Sequence, residues 1–113
     1  MSDATIDHAI FSELQEAAGA DFVKELVQTF LEEAPTMLQE LRDALATGDA
    51  DTFRRAAHSL KSNSLTFGAL TLGAMAREQE LGGLPAAQPS NALDALAQEY
   101  ARVAAALQEL THG

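Results

Sequence analysis

Several features that this sequence lacks restrict its fold and function. It has no cysteine, which excludes disulfides, thiolate zinc sites and thiol chemistry. Aromatic residues make up only 5% and β-branched residues are scarce, so no segment shows the alternating pattern of a strand. No apolar stretch approaches the ~18 residues of a membrane span, and the N-terminus shows no signal-peptide pattern. We therefore expect a cytoplasmic protein.

Positive charge is also in short supply. Seven Lys and Arg face seventeen Asp and Glu, for a net charge of −10 and a pI near 4.5. This balance argues against nucleic acid and against an anionic membrane as partners. No Gly-rich phosphate loop is present, so autonomous kinase activity is not expected. No paired Glu-x-x-His or H-E-x-x-H arrangement is present either, so we expect no metal site.

The residues that are abundant favour helix. Alanine occurs 23 times, and Ala, Leu, Glu and Gln dominate the composition. A chain of 113 residues fits one domain, here residues 1–113, and buries about two thirds of its unfolded surface. Alanine-rich faces let helices approach closely. The composition therefore predicts an all-α domain that needs neither disulfides nor a structural metal.

Apolar periodicity and turn residues divide the chain into five helical segments. The spacing predicts them over about residues 7–18, 21–46, 49–67, 69–81 and 91–110. Short links between the four longer segments favour an antiparallel up-down four-helix bundle. The short N-terminal helix is expected to lie across one end of it.

Local signals predict where these helices begin, end or bend. Pro35 predicts a kink or break near Ala34. The stretch "GGLPAAQPS", residues 82–90, predicts a loop. The apolar stripe of the second helix is expected to comprise Phe22, Leu26, Phe30, Met37, Leu38, Leu41 and Leu45. The expected caps are Asp7 or a neighbour, Gly48, either Asp49 or Asp51, and either Ser90 or Asn91.

The third helix has two distinct faces around His58. At roughly 100° per residue, the side opposite His58 carries an apolar set that we assign to the core: Phe53, Ala56, Leu60, Ser64 and Phe67. His58 is therefore expected to face solvent or a partner. Within roughly 60° of it lie Asp51, Arg54, Arg55, Lys61, Ser62 and Leu65.

An exposed histidine on a polar helix usually has no function, but two features favour one here. Three of the seven basic residues surround His58 in an acidic protein, and Leu65 is an apolar residue on the same face. Such a patch suits docking of an acidic, phosphate-bearing group. Nearby cations disfavour the charged form of an imidazole. A neutral imidazole can act as a nucleophile, and the same cations could stabilise a transferring phosphoryl group.

The residues around His58 also resemble a known signature. Residues 58–69 read "HSLKSNSLTFGA", which is similar to the pattern H-x-L-K-G-[SA]-[SA]-x-x-x-G-[AL] of the histidine-containing phosphotransfer (HPt) domains of two-component phosphorelays. The preceding stretches "GADFVKELVQTFLEEAPTMLQELRDAL" and "TGDADTFRRAAHSLKS" also resemble the family. The resemblance covers about residues 5–110.

This resemblance implies a function and roles for four residues. His58 would reversibly accept a phosphoryl group from the aspartate of a response-regulator receiver domain and pass it to another. Lys61 would help to hold that group, and Gly68 would permit the tight passage into the next helix. Glu80, twenty-two positions after the histidine, could orient the imidazole. The family has no ATP site, and Mg²⁺ is expected only in the partner receiver.

The position four residues after His58 departs from the family pattern. Ser62 stands where the family often has Gly. Its side chain is small enough to preserve access to the ring, and its hydroxyl could contact the phosphoryl group. We assign Arg54, Arg55, Ser62 and Leu65 to receiver docking.

Other functions compatible with the sequence differ in their need for His58. A helical adaptor that is not phosphorylated would dock a signalling partner through the same face, without needing the imidazole. A metal-binding or enzymatic bundle has less support. The chain could also be the phosphoacceptor domain of a larger histidine kinase. In either case the expected partners are a response-regulator receiver domain, a hybrid sensor histidine kinase, or both. We expect it to be a monomer.

Overall fold

A computed structural model describes residues 5–87 and 91–111 of the chain as helices joined by short turns. This part contains no strand. The helices are α1 (His8–Ala18), α2 (Ala20–Thr47), α3 (Ala50–Thr66), α4 (Leu70–Ala87) and α5 (Asn91–Thr111). None of them is long and apolar enough to cross a membrane.

The four longer helices form a closed ring. Helix α3 packs against α2 and α4, and α5 completes the ring by contacting α4 and α2. Helix α1 packs against α2 and α3, and the Asp7 N–H at its start donates to the Gly68 carbonyl in the turn between α3 and α4, at 2.8 Å. The predicted antiparallel four-helix bundle with a short N-terminal helix is confirmed.

The core is built from large side chains separated by alanines. Its fully buried large residues come from all four long helices: Val23, Val27, Leu41, Phe53, Leu60, Leu72, Leu96, Val103 and Leu107. Buried alanines between them allow the helix backbones to approach closely: Ala34, Ala44, Ala56, Ala57, Ala69, Ala76 and Ala87. Packing of this kind fills the interior closely with aliphatic side chains, alanines and the buried rings of Phe11, Phe30, Phe53 and Phe67.

Local capping signals are confirmed where the structure describes them. Asp7 and Asp49 accept the N–H groups three residues later, each at 3.1 Å, and so begin α1 and α3. Gly48 ends α2 with φ of 74°, a conformation that glycine adopts without strain. Asn91 is the first residue of α5 rather than its cap. Ser90 lies outside the described residues.

The predicted apolar stripe of α2 is wrong at its first residue. Phe22 is 52% exposed, whereas Val23 and Val27 are buried. One residue corresponds to about 100° of rotation, so only one of Phe22 and Val23 can face the core. The packing of α2 against α3, α5 and α1 selects the register that continues through Val27, Phe30 and Ala34.

Pro35 does not break α2, which runs without interruption to Thr47. Proline lacks an N–H, so the carbonyl of Leu31, four residues earlier, loses its helical donor. The Tyr100 hydroxyl of α5 donates to that carbonyl at 3.4 Å. Tyr100 also packs edge-on against Phe30, with ring centroids 5.9 Å apart, and burial raises the pKa of its hydroxyl. A partner helix therefore replaces the missing bond.

The loop predicted over residues 82–90 is only partly present. Gly83 interrupts α4 with φ of 68° and ψ of −157°, as the glycine pair predicts. Residues 84–87, however, are helical again, and buried Ala87 ties this short piece to the core. Residues 88–90 lie outside the described part.

Replacing Tyr100 by Phe should test the link to Pro35. The variant removes the hydroxyl and keeps the ring packing, so the free energy of unfolding should fall by about 0.5–1 kcal/mol. In a Pro35→Ala background, an alanine N–H can bond the Leu31 carbonyl, and the same change should cost less. Urea denaturation of the four proteins measures this coupling. If the changes in the free energy of unfolding caused by Tyr100→Phe and Pro35→Ala are strictly additive, the Tyr100 hydroxyl does not compensate for the hydrogen bond that Pro35 removes.

Candidate functional site

Helix α3 presents His58 outward, as its helical geometry predicts. Phe53, Ala56 and Leu60 are buried on the opposite face. The fourth member of that face, Ser64, is also buried and donates to the Leu60 carbonyl at 2.6 Å, so its hydroxyl is satisfied. The His58 side chain is 55% exposed. The core therefore fixes the helix, and the helix holds the imidazole at the surface.

A single carboxylate from α4 contacts both His58 and Lys61. Glu80 Oε2 lies 2.8 Å from His58 Nδ1, and Glu80 Oε1 lies 2.8 Å from Lys61 Nζ. The carboxylate is only 15% exposed, whereas the imidazole is largely open. The three side chains form one connected group in the groove between α3 and α4.

Close packing of α3 and α4 brings this carboxylate within reach. A Cβ atom at Gly73 would lie 2.5 Å from Leu65 Cδ2, so α4 approaches α3 where it has no side chain. Glu80 follows two turns later on α4. The spacing between the helices at Gly73 therefore allows short contacts from Glu80 to the side chains of α3.

These contacts determine the protonation of the group. The hydrogen bond from Lys61, and then that from His58, holds the pKa of the Glu80 carboxyl below its usual value. An ionised carboxylate can only accept hydrogen bonds. The proton between Glu80 and His58 therefore belongs to Nδ1, and a neutral imidazole then carries its free lone pair on Nε2, at the opposite edge of the ring.

The cations near His58 are less dominant than the sequence suggests. Arg54 and Arg55 both pair with Asp51, with N···O distances of 2.8 and 3.3 Å. The charged group that touches the imidazole is the Glu80 carboxylate. Asp51 and Glu80 offset two of the three cations, which leaves one net positive charge on this face. The imidazole therefore lies among both cations and carboxylates, and its direct charged contact is with Glu80.

The remaining residues assigned to this site occupy the expected places. Arg54, Arg55, Ser62 and Leu65 are exposed on the same face of α3 as His58. Gly68 has φ of 85°, and a Cβ there would lie 2.8 Å from the Asp7 carbonyl oxygen. Glycine is thus required both by the turn into α4 and by the start of α1.

Other polar residues that the sequence offers are not part of this group. His8 is exposed on α1, and His112 lies outside the described residues. Glu32, Glu33 and Glu78 are exposed. Within residues 5–87 and 91–111, no three His, Asp or Glu side chains are grouped so that they could hold a metal ion.

Comparison with known proteins places this geometry in a family. The Hpt domain family model matches residues 25–110. A crystal structure of histidine-containing phosphotransfer protein B (HptB) from Pseudomonas aeruginosa PAO1 is similar over 97% of this chain and 96% of that one, with 28% identity and a TM-score of 0.88. No curated protein matches the sequence.

The chain belongs to the Hpt domain family, and it has a histidine phosphotransfer role in a phosphorelay. Members of this family are phosphoryl carriers rather than ATP-using enzymes, and they interact with response-regulator receiver domains and kinases. The histidine on the outward face of α3, held by Glu80, is the group whose chemistry fits this role.

The stability of the protein should depend on Glu80 in a pH-dependent way. The carboxylate has a lowered pKa when folded, so its contribution is complete above the ordinary value of 4.5 and is lost as the pH falls through the lower folded value. Glu80→Gln should therefore destabilise the protein at neutral pH, and the deficit should shrink below pH 4.5.

Denaturant titrations of both proteins between about pH 3 and 7 test this. Glu78→Gln, which removes an exposed carboxylate of the same helix, is the matched control and should show no such trend. A deficit of Glu80→Gln that is the same at every pH would contradict the ionised pair.

Proposed function

We propose that His58 is the phosphoacceptor and that Nε2 is the attacking atom. The observation that carries this proposal is the 2.8 Å contact between His58 Nδ1 and Glu80 Oε2. It keeps the proton on Nδ1, so the lone pair is on Nε2, at the edge of the ring away from Glu80. A neutral imidazole in this tautomer is a competent nucleophile without a separate general base.

The proposed transfer requires no proton movement. The Nε2 lone pair attacks the phosphorus of an aspartyl phosphate on a receiver domain, the N–P bond forms, and the P–O bond to the aspartate breaks. The aspartate leaves as a carboxylate. The imidazole keeps its Nδ1 proton and acquires positive charge, which the Glu80 carboxylate at 2.8 Å stabilises. Transfer to a second receiver is the reverse of these steps.

Lys61 is proposed to hold the phosphoryl group beside the ring. Its ammonium lies 2.8 Å from Glu80 Oε1 in an ion pair, and one of the three donors of an ammonium suffices for that contact. Two donors are therefore left for phosphoryl oxygens without breaking the contact to Glu80. The ion pair also restrains the long lysine side chain, which is only 21% exposed. Positioning and electrostatics of this kind carry most of phosphoryl-transfer catalysis.

The exposed face around His58 is the proposed receiver-docking surface. It combines the guanidinium groups of Arg54 and Arg55 with two smaller contacts, Ser62 and Leu65. Leu65 is 41% exposed and supplies the apolar part. We propose that Mg²⁺ and the acidic residues of the reaction come from the receiver and that the chain has no ATP site. We further propose that it acts as a cytoplasmic monomer.

Phosphoryl uptake is the first test of this function. The protein, mixed with a phosphorylated receiver and Mg²⁺, should acquire an acid-labile, base-stable phosphoryl group, as expected for an N–P bond. His58→Gln should abolish uptake and leave the helical circular dichroism unchanged, because the His58 side chain is 55% exposed. His8→Gln, which removes another exposed histidine, should transfer like the wild type.

The same experiment distinguishes the carrier from an adaptor. An adaptor would bind receivers with equal affinity in the wild type and in His58→Gln, and neither would take up label. Failure of the wild type to be labelled by any receiver in a panel would overturn the proposed function.

Neutralising Arg54 and Arg55 together should weaken docking through lost electrostatic attraction. Transfer at limiting receiver should slow several-fold at low ionic strength, and the difference should shrink as salt rises from about 0.05 to about 0.5 M. Stopped-flow or quench-flow kinetics measure the rates.

The matched control is Arg42→Gln combined with Arg102→Gln. It makes the same change in net charge, but these residues pair with Asp94 and Glu99 of α5, the helix that α2 and α4 separate from α3 in the ring. Equal slowing in both double variants would show that net charge, and not docking at this face, controls the rate.

A further inference from the structure

Among the polar residues at positions 62 to 66 of α3, Ser62 is the one whose side chain has no hydrogen bond to its own helix. Asn63, Ser64 and Thr66 each donate to the carbonyl four residues earlier, at 2.8, 2.6 and 3.0 Å. The carbonyl that Ser62 could reach in this way is that of His58. Its hydroxyl nevertheless makes no hydrogen bond to any described residue, so it is available as a donor.

The position of Ser62 places this hydroxyl beside the imidazole. Residues four apart on a helix have Cβ atoms about 5–6 Å from each other. Side chains also lean towards the N-terminus of the helix, so that of Ser62 lies over the turn that carries His58. Both side chains are exposed, and no core contact keeps them apart.

Ser62 and Lys61 lie on opposite sides of His58. At about 100° per residue, Lys61 is displaced by about 60° to one side and Ser62 by about 40° to the other. The Lys61 side faces α4, where its ammonium meets Glu80. A phosphoryl group on Nε2 would therefore have the Lys61 ammonium on the side that faces α4. On the side that faces away from α4, that helix offers it no hydrogen-bond donor.

We propose that the Ser62 hydroxyl donates a hydrogen bond to a phosphoryl oxygen on His58, and so stabilises the phosphorylated state of this carrier. This assigns Ser62 a direct contact with the transferred group beyond receiver docking, and it rests on the proposed phosphorylation of His58. Because the hydroxyl has no protein partner before transfer, no protein bond is lost when it binds the phosphoryl group. The contact shifts the equilibrium from the receiver to the carrier.

Substitution of Ser62 by Ala and by Gly tests the contact. Both remove the hydroxyl, but they change helix stability in opposite directions, since Ala is the best helix former and Gly a poor one. With a phosphorylated receiver, both variants should shift the transfer equilibrium away from the carrier by about three- to tenfold. Ser62→Thr, which retains a hydroxyl, should stay near the wild-type equilibrium. Ser59→Ala, an exposed serine on the same helix, is the matched control.

A second measurement uses the isolated carrier. Phosphoramidate, a small phosphoryl donor, labels His58 without a receiver, and the ³¹P chemical shift and the lifetime of the label are then followed. The ³¹P chemical shift should change in both Ser62→Ala and Ser62→Gly, and it should stay close to the wild-type value in Ser59→Ala.

The outcomes separate this inference from the function on which it rests. If His58 is labelled in all variants, and the transfer equilibrium, the lifetime of the label and the ³¹P chemical shift are the same in each, the Ser62 contact is wrong and the carrier function stands. Opposite effects of Ala and Gly would indicate a helix-stability effect and also overturn the contact. If only the transfer rate changes, Ser62 is a docking residue and nothing more. If wild type is not labelled on His58 by either donor, the proposed function itself fails.

Discussion

The geometry of the site depends on one carboxylate placed between two side chains of the neighbouring helix. Glu80 is mostly shielded from water, and each of its oxygens is 2.8 Å from a nitrogen, one on His58 and the other on Lys61. The lysine favours the ionised carboxylate, and the ionised carboxylate holds the proton of a neutral imidazole on Nδ1. The lone pair is then on Nε2. Removing any one of the three changes the chemistry of the other two.

The remainder of the fold serves to hold two helices at the distance that this carboxylate requires. Gly73 lets α4 approach α3, and Gly68 lets the chain turn between them while meeting the backbone of Asp7. On the far side of the bundle, Tyr100 supplies the hydrogen bond that Pro35 removes from α2. Helix α2 therefore continues through Pro35 to Thr47 and packs against α3 and α5.

Features determined by neighbours in sequence could be predicted, and those determined by helix packing could not. The caps at Asp7 and Asp49, the turn at Gly48 and the outward direction of His58 each depend on a few adjacent residues. The sequence predicts Phe22 in the core because a segment rich in Phe, Leu and Val permits two helical registers. Only packing against the neighbouring helices selects the register that buries Val23 instead. The ion pair of Lys61 with Glu80 joins residues nineteen positions apart on two helices, so the spacing along one helix does not reveal it. The family resemblance predicts Glu80 beside His58, but it does not predict the ion pair of Glu80 with Lys61.

Asp51 has a consequence for how long a partner stays bound. Its carboxylate already occupies both Arg54 and Arg55 in the free protein. An acidic group on an incoming surface must compete with this internal ligand, so it recovers only part of the attraction that two unpaired arginines would offer. When the complex separates, Asp51 can recapture the guanidinium groups at once. An intramolecular competitor of this kind favours short residence times, which suits a protein that must leave one partner before it can serve the next.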